Sequence, residues 1–218
     1  MSPKIGMEPV RQAQIIEAAL RLIARHGSYN VSIQSVATEA GLSKGAVLHY
    51  YPTKEALFAA VFREFFRQIF ERSKKTMDRY DDPIEKIRSF EWLFDEDDPT
   101  MRLGYPIYLE CMARAVYEEL FQGLIREWVD NWVALLKGAI EAGIRSGQFK
   151  EVNAEEAARA ISAFCQGICT RWYLHREQHM TPWARETLRN YTQGLLQRSQ
   201  PLEGSLSHDK RLDAGEPG

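Results

Sequence analysis

The sequence predicts an all-α protein of about nine helices. Apolar residues recur along most of the chain at i, i+3, i+4 and i+7, which places them on one face of a helix. Residues that favour helix starts and stops separate these stretches, with Ser, Thr, Asp or Asn before them and Gly after them. No stretch alternates with the period of two that would favour strands. We therefore expect a small N-terminal three-helix domain and a larger helical C-terminal domain.

The first predicted helix runs from Pro9 to His26. Its apolar residues repeat at helical spacing, and Gly27 follows the last of them. Glycine takes the left-handed conformation that commonly ends a helix, so we place the end of the helix there. This helix is expected to support the two short helices that follow.

Two short helices are predicted next. Ser32 can cap the first, and Gly41 ends it. Ser43 can cap the second, which must end before Pro52 because the residue preceding a proline disfavours the helical conformation. Two short helices around a tight turn containing glycine have the spacing of a helix-turn-helix, whose second helix lies in the major groove of DNA. A plain helical hairpin with a polar face has the same pattern.

The second short helix has an unusual outer surface for an element of a core. Its outward positions are small, polar or aromatic: Lys44, Gly45, Ala46, His49 and Tyr50. A lysine and small residues at a helix N-terminus suit close approach to phosphates and base edges.

The stretch from Val31 to Leu57 resembles the DNA-binding domain of the tetracycline-repressor (TetR) family of one-component regulators. The matching residues, all in one register, are Gly27, Ser32, Val36-Ala37, Gly41-Leu42-Ser43, Val47 to Tyr51, Pro52, Thr53, Lys54 and Leu57. The resemblance covers about the first quarter of the chain. It implies a ligand-responsive, homodimeric transcriptional regulator, most often a repressor that a small aromatic or cationic effector releases from a palindromic operator in double-stranded DNA.

The resemblance also implies which residues contact DNA. They are Ser32, Gln34, Ser43, Lys44, Gly45, Ala46, His49, Tyr50 and Lys54. We expect Gln34, Lys44 and His49 to determine sequence preference and Lys54 to hold a phosphate. Leu48 departs from the family, which commonly has a tyrosine there. This departure keeps open an alternative: a helical small-molecule-binding protein that has lost sequence-specific DNA recognition.

Charge is distributed unevenly along the 218 residues. The whole chain has a net charge of −2, which argues against a wholly basic nucleic-acid binder. Residues 1–79 carry +5 and the remainder −7, so the positive part is the one expected to contact phosphate. The three cysteines fit reduced thiols, and no signal peptide or membrane span is evident. We expect a soluble cytoplasmic protein.

The rest of the chain continues the helical pattern. Thr53 can cap a long helix with a wide apolar face, which must pack on another part of the protein. Later helix starts are predicted at Asp82-Pro83, Asp98-Pro99, Asn153 and Thr181-Pro182. The expected divisions are a DNA-binding domain at 1–52, a connecting helix at 53–79, a ligand-binding and dimerisation domain at 80–200, and a disordered tail at 201–218.

Aromatic residues concentrate between residues 83 and 146, where the resemblance implies an effector pocket. The candidates are Trp92, Tyr105, Tyr108, Glu110, Cys111, Phe121, Trp128 and Trp132. Aromatic faces beside a carboxylate suit a cationic ligand. For any single aromatic residue, ordinary core packing is the better account.

The last two predicted helices carry apolar stripes that the resemblance assigns to a dimer interface. The candidates are Ala157, Ile161, Phe164, Ile168, Trp172, Trp183, Leu188, Tyr191 and Leu195. Packing within one subunit is the alternative. We favour a two-fold dimer because one helix-turn-helix contacts only half of a palindromic site.

We expect neither a metal site nor a cofactor. Cys165 and Cys169 are four residues apart, as are His175 and His179, but about 21 Å of helix separates Cys165 from His179. The chain has no Gly-x-Ser-x-Gly, phosphate-loop or His-Glu-x-x-His motif. An enzyme is therefore not expected.

Overall fold

The computed structural model describes residues 8–197, so the tail expected at 201–218 lies outside the described residues. The helices are α1 (Glu8–His26), α2 (Ile33–Glu39), α3 (Lys44–Tyr50), α4 (Lys54–Met77), α5 (Pro83–Arg88), α6 (Pro99–Ala115), α7 (Glu119–Arg145), α8 (Ala154–Leu174) and α9 (Thr181–Leu196), with 3-10 helices at Ser28–Asn30 and Ser89–Phe94. Within the described residues there is no strand. The prediction of an all-α protein with about nine helices is confirmed.

Local capping sets the boundaries of the short N-terminal helices. Ser32, Ser43 and Thr53 each accept a hydrogen bond from the backbone N–H three residues later, at 3.0–3.1 Å. The Ser35 hydroxyl in turn accepts from the backbone N–H of Ser32, and the two bonds together form a capping box. Gly41 has a positive φ of 64°, as a glycine ending a helix requires.

Helices α1 to α3 enclose a small aliphatic core. Its fully buried members come from all three helices: Ile15, Ala18, Ala19, Ile23, Val36, Ala37 and Val47. The alanines allow α1 and α2 to approach closely, and Val47 fixes one face of α3 inward. The opposite face of α3 is thereby turned to solvent.

Helix α4 belongs to both parts of the molecule. Its 24 residues extend about 36 Å at 1.5 Å per residue. Leu57 and Phe58 are fully buried near its start. Farther along, Phe62 meets Phe121 edge-on at 5.6 Å, and Phe66 stacks on Trp128 at 4.9 Å. The wide apolar face of α4 therefore packs on the C-terminal helices.

Helices α5 to α9 form the larger layer, with α7 packed against α4, α5, α6 and α8. Asp98 caps α6 by accepting from the N–H of Thr100 at 2.8 Å. Gly147, with φ of 76°, follows the end of α7. Gly143 allows a close approach, because a Cβ there would lie 2.1 Å from the Phe149 ring.

The start of α9 is tied to two other elements. The predicted start at Thr181-Pro182 agrees with the observed first residue of α9. The Thr181 hydroxyl donates to the carbonyl oxygen of Phe94 at 2.8 Å and accepts from Trp172 Nε1 at 3.0 Å. This hydroxyl links α9 to α8 and to the second 3-10 helix.

Candidate functional site

The outward face of α3 forms a continuous surface of small, polar and aromatic residues. Lys44, Gly45 and His49 are exposed, while Ala46 and Tyr50 are half-buried. The His49 and Tyr50 rings meet edge-on at 5.1 Å. The helix N-terminus therefore presents a cation and unobstructed backbone, and aromatic side chains follow one turn later.

The other sequence-predicted DNA-binding residues surround this face. Ser32, Gln34 and Ser43 are exposed at or near the N-termini of α2 and α3. Lys54 is half-buried, and its Nζ donates to the carbonyl oxygen of Tyr29 at 3.3 Å. Nζ also lies 5.1 Å from the centre of the Phe58 ring. These contacts hold the ammonium group at the start of α4.

The C-terminal helices enclose a cavity of about 90 Å³. Residues from α4 to α9 line it: Phe65, Ile69, Ile87, Phe90, Leu93, Met101, Gly104, Tyr105, Tyr108, Trp128, Trp132, Leu136, Ile161, Ser162, Cys165, Gln166, Cys169 and Leu188. None of these lining residues, all in the described part of the chain, is acidic or basic. The wall is mostly aliphatic and aromatic.

Trp132 is the centre of the aromatic wall. Its ring meets Phe90 at 4.7 Å and Trp128 at 5.4 Å, both edge-on. The residue is buried, and its Nε1 has no hydrogen-bond partner within the described residues. A buried N–H donor without an acceptor is costly, so a ligand oxygen here would satisfy it.

Three titratable groups of the cavity, on Tyr105, Tyr108 and Cys169, remain protonated and neutral near pH 7. Burial raises the pKa of Tyr108 to about 12 and raises that of Tyr105 well above its usual value. Burial likewise raises the pKa of the Cys169 thiol. Desolvation disfavours the charged form of each group. Their hydroxyl and thiol groups are available as weak polar contacts without adding charge.

Four of the eight predicted pocket residues line this cavity, namely Tyr105, Tyr108, Trp128 and Trp132. The remaining four, Trp92, Glu110, Cys111 and Phe121, lie outside its lining. Trp92 packs under the guanidinium of Arg72 at 3.8 Å, and Phe121 packs in the core. Cys111 is fully buried, and desolvation raises its pKa to about 12.

Glu110 points instead toward the N-terminal helices. Its Oε2 accepts from the Ser28 hydroxyl at 2.6 Å and from the Ser28 backbone N–H at 3.1 Å. Glu110 and Tyr108 are two residues apart, which separates them by roughly 200° around a helix. That separation explains why only one of them faces the cavity.

Sequence reasoning did not assign any of the lining residues on α4 and α8 to the pocket. Phe65 and Ile69 lie on the wide apolar face of α4, and that width was the available signal. Ser162, Cys165 and Gln166 lie on α8, beside residues that were assigned to a dimer stripe. Nothing in the periodicity of α8 distinguishes a cavity wall from an interface.

The predicted dimer residues divide into two groups. Ala157, Ile161, Ile168, Trp172 and Leu188 are buried within one subunit, and Phe164, Trp183, Tyr191 and Leu195 are half-buried. The Phe164 and Tyr191 rings stack at 3.8 Å. Beside them on α8, Ala163 and Gly167 are exposed. Small exposed residues and half-buried aromatic residues thus lie side by side on the outer surface of α8 and α9.

Two further sequence patterns have simple structural accounts. Cys165 and Cys169 both line the cavity, and the His175 and His179 rings lie 5.0 Å apart at the end of α8. In residues 8–197, no group of three or more His, Cys, Asp or Glu is placed to hold a metal ion. None of the described helices combines the length and the apolar character needed to cross a membrane.

Two family models match the chain. Residues 15–61 match the model described as bacterial regulatory proteins, tetR family. Residues 83–197 match the model described as BetI-type transcriptional repressor, C-terminal. The first match includes all of α2 and α3, and the second extends from α5 to α9.

Curated relatives agree with both matches. The chain is 39% identical over 85 residues to the HTH-type transcriptional regulator BetI of Agrobacterium fabrum, covering 39% of this chain and 41% of that protein. The chain thus spans about two fifths of the length of the first such relatives. The regulator of the same name from Paraburkholderia xenovorans is 28% identical over 89% of this chain and 97% of its own length.

Solved structures share the whole fold. A protein from Saccharomonospora viridis, described as a transcriptional regulator and crystallised in complex with choline, superposes with a TM-score of 0.80. It is 21% identical to this chain, and the alignment covers 88% of this chain and all of that one. This likeness extends the agreement in fold to both parts of the molecule.

Proposed function

The chain belongs to the tetR family of bacterial regulatory proteins, and from that premise we propose that it is a ligand-responsive DNA-binding regulator of transcription. In this proposal it represses genes from a palindromic operator, and a small effector releases it. The observation that carries the proposal is α4, which begins at the helix-turn-helix and lines the cavity with Phe65 and Ile69. One rigid element thus joins a DNA-binding surface to a ligand site.

The proposed DNA-binding domain is residues 1–52. Lys44, Gly45 and Ala46 would meet base edges at the N-terminus of α3, with His49 and Tyr50 one turn later. Small residues there permit the backbone to approach the groove. Ser32, Gln34, Ser43 and Lys54 would contact the flanking backbone, with Lys54 bound to a phosphate.

The proposed effector is a small, mainly apolar molecule, either aromatic or a quaternary ammonium cation. A primary ammonium group favours a carboxylate partner, and no charged residue lines the cavity in the described chain. A methylated ammonium has no N–H groups and can be held by aromatic faces alone. Choline, which is bound by the Saccharomonospora viridis protein, is therefore a suitable first probe.

The proposed assembly is a homodimer formed through α8 and α9, within a ligand-binding and dimerisation domain at 80–200. The exposed Ala163 and Gly167 would let two copies of α8 approach closely, and the Phe164–Tyr191 stack would supply apolar area beside them. A two-fold axis places two α3 helices on half-sites about 34 Å apart. A ligand that favours another separation lowers operator affinity by linkage.

The alternative protein, which binds ligands but has lost DNA recognition, is less well supported. Its sequence argument was Leu48, a single departure beside the outward face of α3. The exposed Lys44 and His49 remain on that face. We therefore keep the regulator as the proposal.

Selection of genomic DNA fragments tests the proposed function as a regulator of transcription. The purified full chain is mixed with sheared DNA from its source genome at near-physiological salt, and retained fragments are sequenced. We expect enrichment of one palindromic sequence, lost when choline or another effector is added. A control with Lys44→Ala and Lys54→Ala together should enrich nothing. Equal enrichment by this double variant and the wild type would overturn the assigned surface.

A further inference from the structure

The contact between Glu110 and Ser28 joins the two parts of the molecule where α1 packs against α6. Glu110 lies on α6, and Ser28 follows α1 and precedes α2. The hydroxyl and the backbone N–H of Ser28 both donate to Glu110 Oε2, at 2.6 and 3.1 Å, although the two residues are 82 positions apart in sequence. Ser28 is buried, with 6% of its surface exposed. We refer to this contact as the Glu110–Ser28 anchor.

Gly27 shapes the anchor on its other side. It has a positive φ of 74°, which disfavours any side chain. A Cβ at this position would also lie 2.9 Å from Glu110 Oε1. The carboxylate is therefore seated against bare backbone as well as hydrogen-bonded to Ser28. A glycine and a serine in sequence form a fitted seat for this one side chain.

The opposite face of α6 lines the cavity. Tyr105 and Tyr108 contribute to the wall, within about one and a half helical turns before Glu110. Pro106 lies between the start of α6 and the anchor, and it has no N–H to donate within the helix. A proline is where a helix bends most readily. Movement of the cavity wall would thus reach Glu110 over about 3 Å of helix rise from Tyr108.

We propose that Glu110 and Ser28 are positioning residues, which fix the angle of the helix-turn-helix relative to the cavity wall. This inference rests on the proposed function as a DNA-binding regulator. Helix α4 joins the same two parts covalently, and α1 also packs against α6. The anchor adds two directional hydrogen bonds to this packing, so it restrains sliding and rotation of the N-terminal helices on α6. Charge-assisted hydrogen bonds suit this duty because they are directional.

The dependence of DNA affinity on half-site spacing tests the proposal. The operator selected by the wild-type protein is rebuilt with its half-sites moved by one or two base pairs in either direction. We expect the wild type to discriminate sharply against altered spacings. In Glu110→Ala, the affinity ratio between the best and the altered sites should fall roughly three- to tenfold, and in Ser28→Ala by less, because its backbone N–H still donates.

Glu118→Ala is the matched control. Its carboxylate pairs with Arg114 at 2.9 Å, next to the end of α6, and we expect it to retain the wild-type spacing profile. The same profile in Glu110→Ala would overturn the proposal. Equal weakening at all spacings would also overturn it, since that result indicates a role in folding alone.

Hydrogen exchange tests the Glu110–Ser28 anchor independently of the proposal that the protein regulates transcription. The full chain is measured without DNA, and amides from residue 28 to residue 50 are compared with those of α7. We expect Glu110→Ala to exchange roughly tenfold faster in the first segment and equally in the second, whereas Glu118→Ala matches the wild type. Unchanged exchange in Glu110→Ala would refute the anchor. A wild type that selects no DNA refutes the regulator instead, and this measurement then decides the anchor.

Discussion

The N-terminal region, residues 8–52, and the C-terminal region, residues 80–197, are packed for opposite purposes. The first closes a small aliphatic core around Ile15, Ala18 and Val47, all fully buried. The second is richer in aromatic residues and leaves a cavity of about 90 Å³. Filled space holds a surface in fixed geometry, whereas unfilled space admits a ligand. The N-terminal region is therefore packed to keep a surface rigid, and the C-terminal region keeps space that a ligand can occupy.

Adding the same apolar volume to both regions tests this contrast most strongly. Ala18→Leu would overfill the N-terminal core, and we expect the free energy of unfolding to fall by about 1–3 kcal/mol. Ser162→Leu would extend into the cavity from α8, so we expect little change or a small gain. Denaturant unfolding of both variants measures the difference. Equal destabilisation by the two substitutions would contradict the contrast.

Charge removal tests whether the fixed surface is the DNA-binding one. Lys54→Ala should weaken binding to all sequences by roughly tenfold and make its salt dependence shallower, because a phosphate contact is lost. Lys44→Ala should instead reduce the preference for the operator over random DNA. Titrations at several salt concentrations separate the two results.

Lys150→Ala supplies the matched control for these titrations. Lys150 donates to the carbonyl oxygen of Gly194 in the C-terminal region, remote in sequence from the helix-turn-helix. We expect its affinity and salt slope to equal those of the wild type. A comparable loss in this variant would assign DNA binding to overall charge rather than to the surface of α3.

The unpaired indole nitrogen of Trp132 allows a finer test of how the cavity binds a ligand. Choline and tetramethylammonium share a methylated cation, but only choline has a hydroxyl oxygen. If that oxygen accepts from Nε1, Trp132→Phe should weaken choline roughly fivefold and leave tetramethylammonium nearly unchanged. Calorimetric titration gives both affinities.

Trp92→Phe is the control for that experiment. Trp92 also has a buried Nε1 without a partner in the described chain, but it lies outside the cavity lining. We expect it to leave both affinities unchanged. Equal losses of the two ligands in Trp132→Phe would show that the ring contributes packing and not a hydrogen bond.

The smallest expected effect concerns the ion pair that ties α4 to the start of α6. Arg72 pairs with Asp98 and lowers the pKa of that carboxyl below its usual value of 3.8. Such a group stabilises the fold above its unfolded pKa and loses this contribution as the pH falls through its folded pKa. We expect Asp98→Asn to cost about 0.5–1 kcal/mol at pH 7. Unfolding at pH 7 and below pH 3.8 should show the difference shrink, and a constant difference would contradict the ionic account.

Local chemistry explains why so much of the fold could be predicted. Ser32, Ser43 and Thr53 cap helices within three residues of themselves, and Gly41 and Gly147 follow helices at positive φ. Each of these signals is complete within one turn of chain. Most helix starts therefore followed from the sequence.

The sites depended on contacts that no local pattern records. Tyr105 and Phe121 look alike in sequence, yet one lines the cavity and the other packs in the core. Glu110 was assigned to the pocket because it lies near aromatic residues in sequence, although its partner is 82 positions away. In α8, the residues facing inward and outward both have helical spacing. Only the packing of other helices distinguishes them.

The seat formed by Gly27 and Ser28 has a consequence for chimeric regulators. A graft that joined residues 1–79 to the sensing half of another protein would keep all of α4 but would leave Ser28 without its carboxylate. Phe62 and Phe66 would also meet a foreign surface in place of Phe121 and Trp128. In such a hybrid, α4 would connect the two parts, but the helix-turn-helix would not be held at its native angle. A functional chimera must therefore retain Gly27, Ser28 and Glu110 together, although these residues lie on opposite sides of the junction.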